Sequence, residues 1–168
     1  MSFRPRMTTL IRSACIALAF GLATAGAQAQ SASPFANLAG EWSGSGTIDL
    51  ADGGREPIKC RAAYDVLQQQ NNLQLNIRCA SDSYNFDLRG SATLAANSVS
   101  GSWSEATRNA SGSISGTAKG EHIDVIAESP AFTAGLSLVT HGSKQSVVIK
   151  PKDANAGIRG ATINLRRS

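Results

Sequence analysis

Histidine, cysteine and long apolar stretches are all scarce in this 168-residue chain, and each shortage narrows what it can be. The only histidines, His122 and His141, stand far apart in the sequence. A metal centre or a catalytic triad built on imidazole therefore has little to draw on. Serine is plentiful, yet no Gly-x-Ser-x-Gly elbow joins a strand to a helix. Past residue 29 no apolar run approaches the roughly 20 residues that span a bilayer as a helix. Past residue 40 no i, i+3, i+4, i+7 apolar stripe lasts three turns, which excludes a helical fold. No paired acid and base and no activated nucleophile emerge, so the expectation is a protein that is not an enzyme and needs no metal or other cofactor.

What is present begins with a leader. Residues 1–29 carry Arg4, Arg6 and Arg12, then an apolar run from Ala14 to Ala25, then Ala27-Gln28-Ala29, the basic, apolar, small-residue order of a secretory signal peptide. The expected product is one domain, residues 30–168, periplasmic or secreted after cleavage and without stable membrane insertion. Loss of the leader leaves thirteen basic residues against twelve acidic ones, so the formal charge falls from +4 to +1. The basic pI is partly a property of the leader, and a nucleic-acid partner is not expected.

The leader also takes Cys15, leaving Cys60 and Cys79. An even pair in an exported chain reads as a structural disulfide, and a spacing of about twenty residues does not fit a thioredoxin-type redox motif.

Alternation with period two runs through nearly all of the remaining chain. Trp42, Gly44, Gly46, Ile48 and Leu50 share one strand face; Ile58, Cys60, Ala62, Tyr64 and Val66 share the next; Leu73, Leu75, Ile77 and Cys79 a third. Antiparallel partners have a constant index sum. A sum of 139 places Val66 opposite Leu73, Tyr64 opposite Leu75, Ala62 opposite Ile77 and Cys60 opposite Cys79. Tyr84 to Leu94 and Val99 to Glu105 follow, and a sum of 193 sets Trp103 against Gly90. Further rows run through Ile114, Ile123 with Val125, Phe132 to Leu138, Gln145 to Ile149, and Ala161 to Leu165. The expected fold is all-β: an antiparallel up-and-down meander of about ten strands, closed or nearly closed into a barrel, with a flattened barrel or β-sandwich as the alternative.

Two surfaces of such a barrel are candidates for function. Inside, glycine and alanine positions sit among the bulky Trp42, Tyr64, Phe86, Trp103 and Phe132. A closed barrel of about ten strands is wider than these side chains fill, leaving room for a small apolar ligand that the aromatics would line; in a flattened barrel the walls close up instead. Outside, the 139 register sets Arg61 opposite Arg78 beside Lys59, an anion patch unless Asp87 and Asp65 neutralise it. His122 shares an outward face with Asp124 and Glu128, a combination that reads as solvated surface.

Gly40-Glu41-Trp42, preceded by Pro34-Phe35-Ala36-Asn37-Leu38, resembles the Gly-x-Trp opening of lipocalin-like (calycin) barrels. The resemblance implies a short 3₁₀ turn leading into the first strand, with the tryptophan plugging the closed end under an arginine of the last strand, Arg166 or Arg167. The same opening is similar to that of periplasmic metalloprotease inhibitors, in which a trunk, here Gln30 to Asn37, enters the protease cleft. The chain as a whole looks like the small exported proteins of proteobacteria. The expected function is a non-enzymatic exported barrel binding a small apolar or amphipathic molecule, with a protein-partner module, an inhibitor or envelope structural factor, as the alternative.

Overall fold

Alternation gives most strands one apolar and one polar face, and ten such strands hide their apolar faces by closing on themselves. The computed structural model describes residues 32–67, 71–153 and 157–168. The leader expected over residues 1–29 lies outside them, as do Gln30 and Ser31 of the expected trunk. A 3₁₀ turn at Pro34–Asn37 precedes β1 (Gly40–Leu50), β2 (Arg55–Leu67), β3 (Asn72–Ala80), β4 (Asn85–Ala95), β5 (Ser98–Glu105), β6 (Ala110–Lys119), β7 (His122–Ser129), β8 (Phe132–His141), β9 (Lys144–Pro151) and β10 (Ile158–Arg167). Each strand pairs antiparallel with the next, and β10 returns to pair with β1. The architecture is a closed barrel, not an open sandwich.

The register agrees with the index sums. Val66 faces Leu73, Tyr64 faces Leu75, Ala62 faces Ile77 and Cys60 faces Cys79, and Gly90 faces Trp103. The cysteines are bonded, with Cα atoms 4.1 Å apart. Outward rows are rich in serine, threonine, asparagine, lysine and arginine, the reverse of the apolar outer band of a membrane-spanning barrel.

The inward glycines also meet a local need: they let each strand bend against its neighbour. A Cβ built on Gly44 would lie 2.0 Å from the carbonyl oxygen of Asn164, and one on Gly112 would lie 1.7 Å from that of Glu128. Any side chain there collides with the backbone of the paired strand, so curvature at these points requires glycine.

Two stability measurements check this description. Replacing Cys60 and Cys79 together with alanine should lower stability by about 3 kcal/mol in chemical denaturation, since the bridge closes a loop of about twenty residues. Gly112→Ala should cost more than about 2 kcal/mol because backbone must shift. Gly135→Ala, whose Cβ would meet only the Lys150 carbonyl oxygen at 3.9 Å, should be close to neutral.

Candidate functional site

One end of the barrel is sealed. Phe35 and Leu38 of the 3₁₀ turn and Trp42 of β1 are each 1% exposed and form its floor. The Trp42 indole N–H donates to the Leu38 carbonyl at 2.6 Å. Of the two candidate arginines, Arg167 takes the covering position. Its guanidinium lies 4.6 Å from the Trp42 ring centroid and donates to the carbonyls of Ala39 and Asn37 at 2.6 and 2.7 Å. Above the floor, the Tyr64 hydroxyl donates to Gln145 Oε1 at 3.0 Å, and Gln145 Nε2 donates to Thr140 Oγ1 at 3.1 Å. This buried chain joins β2 to β8 and β9 across the lumen. Burial pushes the Tyr64 phenol well above its ordinary pKa, against the opposing effect of its Gln145 hydrogen bond.

Above the floor, coverage differs between strands: Ile48, Ile58 and Ile163 on β1, β2 and β10 are almost fully buried. Leu75, Ile77, Leu88, Ile114, Val125, Leu136 and Val147 have the inward parity of their strands, yet all are only half-buried. On β3, β4 and β6 to β9 these inward aliphatic side chains thus keep part of their surface accessible.

Carboxylates at the other end hold the rim. Glu56, at the start of β2, accepts from the Ser83 backbone N–H at 2.6 Å and fastens the turn between β3 and β4. Hydrogen bonds from Ser81 and Ser83 hold its pKa below the ordinary carboxylate value. Glu105, at the end of β5, accepts from the backbone N–H groups of Asp87, Thr107 and Arg108 at 3.0, 3.0 and 2.8 Å, and from the Thr107 hydroxyl at 2.7 Å. Burial works to raise its pKa, but these bonds outweigh it and hold the carboxyl down at about 2. Arg108, carried by this turn, lies 4.8 Å from the centroid of Phe86, which stacks with Tyr84 at 6.2 Å. Neither glutamate stands out by motif; an acid in phase with a buried row just beside a turn is the only signal the sequence offers.

The five aromatics expected to line a ligand are divided among three places. Trp42 and Tyr64 belong to the sealed floor, Phe86 to the rim, and Trp103 packs edge-on against Phe132 at 6.4 Å. The outward trio Lys59, Arg61 and Arg78 is exposed, with Arg61 directly opposite Arg78. Asp87 is directly opposite Arg78 rather than diagonal to it, and pairs with it at 3.3 Å. His122, Asp124 and Glu128 are exposed on the outward face of β7. Pro34–Asn37 of the expected trunk is the 3₁₀ turn that carries Phe35 into the floor.

No family model matches the chain, and no curated protein matches it in sequence. Among solved structures, Rv2717c from M. tuberculosis is similar at 12% identity with a TM-score of 0.62, covering 79% of this chain and 93% of that one. The S-type phycobiliprotein lyase CPES from Guillardia theta is similar at 9% identity with a TM-score of 0.56, covering 80% of this chain and 90% of that one. The ten-strand antiparallel barrel fits a lipocalin-like, calycin-type fold. The expectation that the chain is not an enzyme is corrected: a lyase has this fold, so the architecture gives no ground for excluding catalysis. At these identities the likeness concerns the fold alone.

The Glu105 clamp predicts a pH dependence. A carboxyl with a folded pKa near 2 and an ordinary value of 4.5 contributes stability above pH 4.5, and that contribution is lost as pH falls toward 2. Glu105→Gln should cost roughly 2 kcal/mol in denaturation at pH 7, and the gap between variant and wild type should close near pH 2.

Proposed function

We propose that the barrel binds a small apolar or amphipathic molecule in its interior, entered from the end opposite the 3₁₀ floor, and that it does so as an exported protein. One observation carries the reading: inward aliphatic side chains of β3, β4 and β6 to β9 stay half-buried above a floor whose side chains are almost fully buried. Leaving apolar surface uncovered forgoes about 25 cal/mol per Å². A ligand that covers it recovers that energy, and the wall is already held in shape by the floor, the disulfide and the rim carboxylates. The occurrence of this fold in a phycobiliprotein lyase is compatible with an occupied interior. The Cys60–Cys79 bridge supports export, since such bonds persist in oxidising compartments.

The test uses N-phenyl-1-naphthylamine, a neutral apolar fluorophore, together with native mass spectrometry of protein purified from its own host. Wild type should take up the dye at micromolar concentration. Ile77→Trp and Val125→Phe, which fill the interior, should weaken uptake at least about tenfold, each 1.4 kcal/mol corresponding to a factor of ten. The outward Val148→Phe should leave it unchanged. A wild type that neither takes up the dye nor copurifies with a molecule, or interior variants that bind as wild type does, overturns the reading.

A further inference from the structure

The charges on the outside of the barrel are not evenly spread. Successive register pairs set Lys144 of β9 opposite Arg166 of β10, Arg166 opposite Ser43 of β1, Ser43 opposite Arg61 of β2, and Arg61 opposite Arg78 of β3. The row therefore holds four cations in five positions across five consecutive strands. Lys59 stands two residues from Arg61 on the same outward face, and all five cations are exposed. Strands a barrel step apart lie about 4.8 Å from one another, so the row is a basic stripe interrupted at Ser43.

Its acids are few or already engaged. Asp87 ends the row and pairs with Arg78 at 3.3 Å. Asp49 is taken by Arg55 at 2.9 Å. Glu41 and Asp65 lie in neighbouring rows, opposite Ala63 and Gln74, and form no ion pair with the stripe among the described residues. Like charges directly opposite on a sheet are destabilising. The Arg61–Arg78 pair is thus a cost that folding does not require.

The geometry points to this face as a docking surface for an anionic lipid membrane. The stripe is convex and carries no aromatic side chain, whereas single-stranded nucleic acid is held in a groove with stacking platforms. A broad negative surface meets the central charges of the row, Arg166 and Arg61, and the outward positions beside them, Ser43, Ser45 and Asn164, are polar, with the half-buried Val148 beyond Thr162 the nearest outward aliphatic on β9. Docking is therefore peripheral and electrostatic, and it weakens with salt. It does not depend on whether the interior is occupied.

Sedimentation of the disulfide-bonded protein, residues 30–168, with vesicles measures this directly. Vesicles containing about a third phosphatidylglycerol should bind it at low salt and release it at 0.5 M NaCl, while pure phosphatidylcholine should not bind. Each basic side chain near an anionic surface is worth about a fivefold change in partition. Arg61→Glu combined with Arg166→Glu should therefore lower binding by well over tenfold. Arg61→Glu alone replaces a repulsive pair with an attractive one, so it should melt no lower than wild type and still bind less. Lys119→Glu, on the far side of the barrel, should change little. Equal binding to neutral vesicles, binding that survives the Arg61 and Arg166 reversals, or no vesicle binding while a dT20 oligonucleotide binds, each overturns the proposal.

Discussion

The seam between β1 and β10 is the constraint on which the rest of the molecule depends. Without it the meander has two long edges whose N–H and C=O groups lack partners, and the apolar face has no inside. Its register runs without interruption from Trp42 opposite Arg167 to Asp49 opposite Gly160. That register also delivers the arginine to the tryptophan. Because Arg167 is the partner of Trp42, closing the sheet sets the guanidinium over the indole and within reach of the Asn37 and Ala39 carbonyls. Closure and floor are one event. The seam tolerates no side chain at Gly44 or Gly46, where a Cβ would meet the Asn164 or Thr162 carbonyl at 2.0 or 2.1 Å. Sequence economy at two glycines thus decides whether a barrel exists.

From the seam follows an uneven distribution of cohesion. The floor gathers Phe35, Leu38 and Trp42, three of the most completely buried large side chains, and adds the Tyr64–Gln145–Thr140 chain. A buried polar chain is tolerated because each member has a partner, and it fixes β2 relative to β8 and β9. Higher up, the wall depends less on core packing and more on local fastenings: the disulfide between β2 and β3, Glu56 on the β3–β4 turn, and Glu105 on the β5–β6 turn. Walls fastened in this way suit the interior site proposed above, since a ligand then costs little reorganisation.

The sequence revealed what depends on period two and little that depends on the third dimension. Strand pairing was legible because a one-residue slip would send Tyr64, Cys60 and Cys79 to solvent, so only one register keeps the hairpin apolar inside. The role of Trp42 was legible through its resemblance to calycin openings, though Arg166 and Arg167 could not be separated until the seam register placed Arg167 opposite it. The glycines were legible only in part, because the pattern shows that Gly112 faces inward but not that its missing Cβ lies along the path of the Glu128 carbonyl. Trp42, Tyr64, Phe86, Trp103 and Phe132 share an inward parity, but parity carries no height along the barrel axis, and strand stagger distributes them from floor to rim. Glu56 and Glu105 were hidden for a related reason: hydrogen bonds to turn N–H groups, not sequence neighbours, make an inward acid stable there.

The same alternation that hides the interior frees the exterior to vary independently. Inward positions answer to closure, floor and curvature; outward positions need only remain polar and compatible with strand geometry. The outward face has used that freedom unevenly, with β4 to β6 presenting rows of uncharged hydroxyls such as Ser91, Ser102 and Ser113, while β9 through β3 presents the basic stripe. Folding explains neither choice. Strand formation favours β-branched and aromatic residues over serine, and an arginine opposite an arginine opposes pairing. Features that the fold tolerates but does not need are where function can be sought, because fold alone does not specify activity. In this barrel they lie on the outer surface as well as in the interior.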